Sequence, residues 1–314
     1  MPDDQTQHLP PVVAVVGATA AGKTTLSLDL AEALDGEVVN TDAFQLYRGM
    51  DIGTAKLPVA ERRGVPHHLL DLLEVTETAT VAEFQRWART AIAEIRGRGR
   101  TPVLVGGSAL YTRAVLDEFD FPGTDPGLRA RLQAELDEHG TAVMHARLAE
   151  VDRAAAAHIE PANGRRIVRA LEVVTLTGAP FRATLPPPTY AVEGAVQVGV
   201  GIDRPTLDTR IARRVALMAE QGLVEEVRTL AARGLAEGLT ASRALGYQQV
   251  LAHLEGRCTE AEALEQTVAG TRRFVRRQES WFLKDRRVTW VPHDAPDRVT
   301  RALDAVRRSG RMGP

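Results

Sequence analysis

The stretch that most constrains this chain is a glycine-rich loop of the pattern G-x-x-x-x-G-K-[ST] near the N-terminus. It follows an apolar run at residues 12–16, and it precedes leucine and alanine residues that recur at helix-like spacing as far as Leu34. Strand, loop and helix in this order predict a phosphate-binding P-loop. The loop consists of Gly17, Ala18, Thr19, Ala20, Ala21, Gly22, Lys23 and Thr24.

Each part of this loop has a physical role in holding an anion. The glycines permit a tight turn in which successive backbone N–H groups point at the anion, and the start of the helix adds partial positive charge. Lys23 supplies a full positive charge, and the Thr24 hydroxyl is placed to ligate Mg²⁺. The loop by itself leaves open which phosphate is bound and what is done with it.

The composition limits the other classes of function. The chain has 314 residues, a net charge of −2 and one cysteine, Cys258, which excludes an internal disulfide and a cysteine-rich zinc site. Membrane-length apolar runs and a signal-peptide pattern are both absent from the sequence, so we expect a cytoplasmic location without membrane contact. Although the net charge argues against nucleic acid, basic residues cluster at 165–169 and 272–287, and local patches are what a polyanion binds.

Two further strand ends are expected beside the P-loop. A short predicted strand at residues 37–41 ends at Asp42, and a strand at residues 101–105 runs into a glycine pair and Ser108. The carboxyl ends of parallel strands line the ligand crevice of an open α/β sheet. Asp42 is therefore a candidate Mg²⁺ partner or general base, with helix or turn capping as the structural alternative, and Ser108 offers a hydroxyl.

The predicted fold class is α/β, with a P-loop NTPase-like parallel sheet flanked by helices and interrupted by an all-helical insertion. Residues 1–118 are expected to form the first part of the core, residues 119–194 the insertion, and residues 195–314 the return to the core with C-terminal helices. In the last part, Arg210 and Arg214 lie one helical turn apart. Such a pair would suit a diphosphate, or would simply form a solvated surface.

The residues alone leave the reaction open. The default interpretation is a P-loop kinase that binds ATP and uses Asp42 to activate a small hydroxyl acceptor. Basic helical surfaces near residues 165 and 276 have no role in that interpretation. The adjacent histidines His67 and His68 suggest a metal, but neighbouring side chains point in different directions and no third ligand has a convincing spacing.

Seven motifs in the same order give the chain a close resemblance to the tRNA dimethylallyltransferase family in its bacterial form. The block at residues 42–56 is far more specific than the P-loop, and the resemblance covers about residues 12 to 291. The motifs occupy residues 17–24, 42–56, 66–71, 105–111, 166–172, 246–247 and 277–282.

The resemblance implies a prenyl transfer. In this family the dimethylallyl group moves from dimethylallyl diphosphate to N6 of the adenosine directly 3′ of the anticodon, in tRNAs that read codons beginning with U. It implies that the P-loop holds the diphosphate and that Mg²⁺ on Thr24 stabilises the departing group. Arg214, from the arginine pair described above, is a further candidate contact for the diphosphate. Asp42 matches the family's base, and Ser108 matches a hydroxyl position at the reacting region.

The resemblance also implies a tRNA surface on both parts of the chain. Separately, we expect the protein to act as a monomer. Residues in the insertion would grip the anticodon arm, and Arg129 matches a family arginine near the flipped base. The residues expected to contact tRNA are Asp42, Ala43, Phe44, Gln45, Ser108, Arg129, Arg165, Arg166, Ile167, Val168, Arg169, Arg243, Gly246, Tyr247, Arg276, Arg277, Gln278 and Trp281.

Two departures and two alternatives accompany the resemblance. Ala43 stands where the family commonly has serine, and Ala216 replaces a frequent acidic residue; neither change removes a proposed catalytic group. An adenylate isopentenyltransferase, which uses free nucleotide as acceptor, would share the P-loop and the aspartate, but the basic patches favour tRNA. A non-catalytic RNA-binding protein with a relic P-loop is disfavoured because Lys23, Thr24 and Asp42 are all present.

Overall fold

The computed structural model describes residues 9–119, 121–182 and 186–310. The chain divides into two compact units. The core unit runs up to Asp117 and resumes at Tyr190, and the helical unit comprises the residues from Glu118 to Thr189. Each unit is described by itself below.

The core unit is built on a six-stranded parallel sheet of strand order β3-β2-β4-β1-β5-β6. The strands are β1 (Val12–Gly17), β2 (Gly36–Asn40), β3 (His67–His68), β4 (Thr101–Val105), β5 (Ala195–Gly201) and β6 (Val288–Pro292). The predicted parallel sheet is therefore confirmed. The sequence did not predict β3, because two residues are too short to show strand periodicity.

Strand β1 lies at the centre of the sheet and is buried on both faces. Val12, Ala14 and Val16 pack in one hydrophobic cluster. Val13 and Val15 pack in a second cluster on the opposite face. Because alternate side chains of a strand point to opposite faces, a continuous apolar run is what a parallel strand covered on both sides requires.

Eleven helices flank the sheet or form the helical unit in the described residues. They are α1 (Lys23–Ala33), α2 (Val81–Gly97), α3 (Ala109–Leu116), α4 (Pro126–Val151), α5 (Arg153–His158), α6 (Gly164–Thr177), α7 (Arg204–Glu220), α8 (Leu223–Ala231), α9 (Tyr247–Leu254), α10 (Glu260–Phe282) and α11 (Arg298–Gly310). None of these helices is long and apolar enough to cross a membrane.

Capping side chains set where several helices begin. Thr80 and Glu83 form a capping box at the start of α2, and Thr259 and Glu262 form one at the start of α10. Each pair satisfies backbone N–H groups that the first helical turn leaves without partners. These capping residues therefore fix where both helices begin.

The helical unit contains α4, α5 and α6 around a small apolar core of its own. Gly140, at φ 79°, interrupts the helical backbone and kinks α4. Within the unit's described residues, every regular element is a helix, as the predicted insertion requires.

The structure ends the helical unit earlier than the sequence indicated. Residues 190–194, assigned to the insertion from sequence, belong to the core unit. Ala191 N donates a hydrogen bond to Leu116 O (2.8 Å), and Val12 N donates to Gly194 O (3.0 Å). These bonds attach the returning chain to α3 and β1 before β5 begins, and no local sequence pattern announces them.

Candidate active site

The P-loop has the backbone conformation that its glycines predict. Gly17 has φ 131° and Gly22 has φ 105°, and both values favour glycine. A Cβ on Gly17 would also lie only 3.0 Å from Val200 O on β5. The loop therefore passes close to the neighbouring strand, and Gly22 then begins α1 at the carboxyl edge of the sheet.

Lys23 lies in an electrostatic setting suited to an anion. Its Nζ donates a hydrogen bond to Ala18 O (2.7 Å), which holds the side chain along the loop. Burial lowers the pKa of Lys23 to about 8; the nearby Arg214 charge acts in the same direction, and Asp42 opposes it. Two cations and one carboxylate are thus close together, and an incoming anion would stabilise the charged lysine.

A polar cavity of about 230 Å³ opens over the P-loop. Its walls come from the loop, the carboxyl ends of β2 and β4, and Arg214 on α7. The three strand ends that the sequence expected to converge therefore meet here. The polar residues of the lining include Thr19, Lys23, Thr24, Ser27, Asn40, Asp42, Gln45, Thr54, His67 and Arg214.

A second, more apolar cavity of about 320 Å³ shares part of its wall with the first. Thr19, Asp42, Thr54 and Arg214 line both cavities. The remainder of the second cavity is lined by Phe44, Gly53, Ile211, Val215, Met218, Arg243, Ala244, Leu245, Gln248, Thr267, Thr271, Phe274 and Arg277. The core unit thus holds a polar and an apolar compartment that meet at an aspartate and an arginine.

Asp42 is fixed by its neighbours on one side only. Its Oδ1 accepts a hydrogen bond from Phe44 N (2.9 Å), and its backbone N–H and C=O both bond to the Asn40 side chain. Its Oδ2 accepts no hydrogen bond from any described residue. The carboxylate is therefore oriented at the junction of the cavities while one oxygen stays available to a ligand.

Arg214 is held between the two cavities. Its Nη2 donates to Thr54 O (3.1 Å), and burial lowers its pKa while Asp42 opposes that effect. Arg210, one turn earlier, approaches the outside of the P-loop, with Nη1 3.4 Å from Ala21 O. The two arginines of the predicted pair thus lie on different sides of the loop, and Arg214 is the one in the cavity wall.

Gln278 ties α10 to the site by hydrogen bonds at both ends of its amide. Its Oε1 accepts from Thr19 N (2.9 Å) and its Nε2 donates to Gly107 O (2.9 Å). A Cβ on Gly107 would lie 2.2 Å from this Nε2, so the turn after β4 needs glycine there. The side chain of Gln278 is buried and bonds to the P-loop, and its predicted contact with tRNA stays a prediction.

Ser108 lies beside the site and caps a helix. Its hydroxyl accepts from Tyr111 N (3.4 Å) at the start of α3. The cavity wall at this point consists of the two preceding glycines. Ser108 thus caps α3, and its predicted contact with the reacting atoms stays a prediction.

The loop after Asp42 is fixed by a buried lysine, Lys56. Lys56 Nζ donates to Tyr47 O (2.8 Å) and forms ion pairs with Asp51 (2.7 Å) and Asp71 (2.6 Å). A buried cation with three acceptors is a structural tie, not an anion ligand. Its partners lie up to 15 residues away in sequence, so local pattern could not identify them.

The two histidines do not form a metal site. His67 Nδ1 bonds to Val65 O (2.8 Å), and His68 Nε2 bonds to Glu37 (2.6 Å). Across the described parts of the chain, no group of three or more His, Cys, Asp or Glu side chains could hold a metal ion.

The residues of the core unit predicted to contact tRNA fall into an exposed set and a buried set. Arg243 and Arg277 line the second cavity, Arg276 is exposed, and Trp281 is 46% exposed.

Tyr247 is 0% exposed, with its hydroxyl bonded to Glu226 (2.6 Å). Its side chain therefore belongs to the core and not to a surface; Gly246, at φ 91°, starts the same helix. Phe44 lines the second cavity and Gln45 lines the first. Ala43 precedes both residues in the chain.

In the helical unit, a fully buried carboxylate binds two of the predicted tRNA arginines. Glu172 accepts hydrogen bonds from Arg129 (2.5 Å), Arg169 (2.8 Å), Thr124 (2.6 Å) and Asp125 N (3.1 Å). Burial alone would raise the pKa of Glu172, but the bonds from Thr124, Arg169, Arg129 and Asp125 outweigh it and lower the pKa to about 2. Arg129 and Arg169 thus have a structural role in this unit.

The other predicted residues of α6 divide by face. Ile167 and Val168 are buried in the core of the helical unit, whereas Arg165 and Arg166 are exposed. The side chains of Ile167 and Val168 stabilise the helix and present no surface. Arg165 and Arg166 are the members of this group that a polyanion could reach.

The P-loop lies at the carboxyl edge of a parallel sheet, and a second cavity meets the P-loop cavity at Asp42. This arrangement defines a P-loop protein that brings an anionic group and another ligand together. The profile of the IPP transferase family matches residues 45–287. The chain belongs to this family.

Individual relatives agree with the family assignment over nearly the whole length. The chain is 66% identical to a tRNA dimethylallyltransferase of Nocardioides sp., over 96% of this chain and 97% of the relative. It is 63% identical to that of Salinispora arenicola, over 96% and 87%. The crystal structure of the tRNA isopentenylpyrophosphate transferase of Bacillus halodurans is similar with a TM-score of 0.70 and 37% identity, over 96% of this chain and 98% of that one.

Proposed function

We propose that this protein transfers the dimethylallyl group from dimethylallyl diphosphate to N6 of the adenosine directly 3′ of the anticodon, in tRNAs that read codons beginning with U, and releases diphosphate. The observation that carries the proposal is the position of Asp42 in the wall common to both cavities. The names of the relatives, which are tRNA dimethylallyltransferases, support the choice of donor and acceptor.

The polar cavity suits the diphosphate of the donor. Backbone N–H groups of the P-loop, the start of α1 and the Lys23 ammonium supply positive charge on one side, and Arg214 supplies it on the other. A diphosphate gains negative charge as it leaves, and fixed positive groups stabilise the transition state in proportion to that gain. The P-loop here therefore holds a leaving group.

The residues present also fit Mg²⁺. The Thr24 hydroxyl lines the polar cavity, where it would hold the ion together with the diphosphate oxygens of the donor and water. When bound, the ion neutralises charge on the departing diphosphate. The remaining steps fall to side chains of the protein.

Asp42 accounts for the proton. An adenine amine is a weak nucleophile because its lone pair is delocalised into the ring. As N6 attacks the allylic carbon, the new N–C bond forms, the bond from carbon to the diphosphate oxygen breaks, and the proton of N6 moves to a carboxylate oxygen. Oδ2 of Asp42 accepts no hydrogen bond within the described residues, while Oδ1 is fixed by Phe44 N, which is the arrangement a base needs.

The second cavity suits a base taken out of its stack. Phe44 and Phe274 contribute aromatic walls, and Arg243 and Arg277 contribute positive charge. A nucleotide in the anticodon loop must leave its neighbours to reach an enclosed site, and single-stranded bases are the usual targets of such recognition. Arg276 and the half-exposed Trp281 extend the basic surface along α10.

The decisive test incubates the protein with dimethylallyl diphosphate, Mg²⁺ and either unmodified tRNA or AMP. Mass spectrometry of nucleosides should find dimethylallyladenosine in the tRNA reaction and little in the AMP reaction. Prenylated AMP would instead indicate an adenylate isopentenyltransferase, and phosphoryl transfer from ATP to a small acceptor would indicate a kinase. Gel filtration of the same sample tests our further expectation of a monomer.

A further inference from the structure

The segment that joins the two cavities is held by a glutamate outside both of them. Glu226, on α8, accepts hydrogen bonds from three successive backbone N–H groups, those of Asp51 (3.1 Å), Ile52 (2.7 Å) and Gly53 (3.2 Å). It also accepts the hydroxyl proton of Tyr247 (2.6 Å). Hydrogen bonds to an ionised carboxylate are roughly twice as strong as neutral ones. Four donors on one carboxylate therefore make a rigid anchor.

The anchored segment leads directly to the arginine between the cavities. Thr54 follows the three anchored residues, and its carbonyl accepts the hydrogen bond from Arg214 Nη2 (3.1 Å). Thr54 lines both cavities, as Arg214 does. The far end of the segment is fixed by Lys56, which is ion-paired to Asp51. Arg214 thus rests on a short loop whose position depends on Glu226.

Tyr247 explains why the loop carries glycine at its centre. A Cβ on Gly53 would lie 2.4 Å from the Tyr247 ring, so only glycine lets the loop settle against this buried side chain. Burial and the Glu226 charge both raise the pKa of Tyr247, so its hydroxyl remains a donor. Helix α8, helix α9 and the loop therefore meet at one carboxylate.

From this geometry we propose that Glu226 is a positioning residue for the transfer reaction: it fixes residues 51–54 so that Thr54 O holds Arg214 in the wall of the diphosphate cavity. The inference rests on the proposed function. Glu226 touches neither cavity in the described structure, and it acts through the loop. Arg214 is one of the few positive groups around the diphosphate, whereas tRNA is expected to bind over a wide basic surface. The effect of Glu226 should therefore appear in the affinity for the donor diphosphate more than in the affinity for tRNA.

The test compares Glu226→Gln with Glu225→Gln. Glu225 is the neighbouring residue on α8, is exposed, and pairs with Arg228 outside the site, which makes it a matched control. Glutamine keeps the shape of Glu226 but turns an amide N–H₂ toward backbone donors and removes the charge. Binding of inorganic diphosphate with Mg²⁺, measured by calorimetry, should weaken roughly ten- to a hundredfold in Glu226→Gln and stay unchanged in Glu225→Gln.

Steady-state kinetics separate a positioning role from general damage. In Glu226→Gln the KM for dimethylallyl diphosphate should rise while the KM for tRNA stays within about twofold of the wild-type value, and Tm should fall by only a few degrees. Equal diphosphate affinity in Glu226→Gln and the wild type would overturn the proposal. If Glu226→Gln does not fold, Tyr247→Phe carries the test: it removes one of the four donors and should weaken diphosphate binding by a few fold. An unchanged diphosphate affinity in Tyr247→Phe would also overturn the proposal.

The same samples distinguish this proposal from the function on which it rests. A wild-type protein that binds diphosphate but does not prenylate tRNA would contradict the proposed function, whereas the diphosphate affinities of the variants would still test Glu226. A wild-type protein that prenylates tRNA, together with an unaffected Glu226→Gln variant, would contradict the positioning role alone.

Discussion

Glu172 in the helical unit and Asp42 in the core unit are two carboxylates with opposite surroundings. Glu172 is 0% exposed, and four neighbouring residues donate hydrogen bonds to its two oxygens. Asp42 has one oxygen fixed by a backbone N–H and the other open to two cavities. A carboxylate saturated by donors stabilises structure, and one with an oriented but unsatisfied oxygen can accept a proton.

The surroundings of Glu172 also limit which arginines can test the predicted tRNA surface. Arg129 and Arg169 are committed to Glu172, and Arg169 also donates to the carbonyls of Pro122 and Gly123. Removing either arginine would leave the buried Glu172 carboxylate with fewer hydrogen-bond donors. Weaker tRNA binding in such a variant would therefore reflect altered folding as well as the loss of a contact with tRNA. Arg165 is the cleaner probe of the surface because it is exposed.

The largest effect on folding is expected from Glu172→Gln. Breaking a buried ion-pair network by removing one partner costs about 3–5 kcal/mol, because the remaining charges are left uncompensated. Hydrogen-exchange protection in α4 and α6 should fall by that amount while protection in β1 and β4 is preserved. Glu150→Gln, at an exposed position of the same unit, is the control. Undiminished protection in α4 and α6 would show that Glu172 does not hold the unit together.

A smaller effect is expected from acid. The pKa of Glu172 is lowered from 4.5 to about 2 in the folded protein. A lowered folded pKa contributes stability above the unfolded value, and that stability is lost as pH falls from about 4.5 toward 2; the contribution is about 3 kcal/mol. The stability of the wild type should approach that of Glu172→Gln over this range. If the hydrogen-exchange protection of the wild type and of Glu172→Gln changed in parallel with pH, the lowered pKa of Glu172 would be contradicted.

The smallest effect is expected from Arg165→Ala. Removing one phosphate contact should weaken tRNA binding by about 1 kcal/mol and reduce the slope of log K against log salt by about 1. Arg153→Ala, exposed on α5, is the control. Filter binding across a salt series measures both quantities. A slope equal to that of the wild type would move the tRNA surface away from this part of α6.

The sequence predicts those features of the molecule that depend on neighbours in the chain. Gly17 and Gly22 precede a helix by a fixed spacing, so the P-loop conformation could be read directly, and Asp42 could be placed because it ends a strand. Gln278 could not be placed, since its partner Thr19 lies 259 residues away. Glu226 was missed because nothing in α8 marks a residue that bonds a loop 173 to 175 residues earlier.

Long-range packing likewise decides the place of two further polar residues. Lys56 and Tyr247 stand in motifs that resemble a family's functional residues, yet both are buried in this structure and hold the loop in place. A motif records that a position matters without saying whether the side chain faces a ligand or another part of the protein. Burial and hydrogen-bond partners supply that distinction, and they depend on long-range packing.

The assignment of Asp42 as the base is tested most directly by single-turnover transfer to tRNA with the Asp42→Asn variant. The variant preserves the shape of the side chain and its bond to Phe44 N but cannot accept the proton of N6. We expect transfer to slow by about 10²–10⁴-fold, while the affinity for inorganic diphosphate and the free energy of unfolding stay close to the wild-type values. Transfer at the wild-type rate would contradict the assignment of Asp42 as the base at the junction of the two cavities.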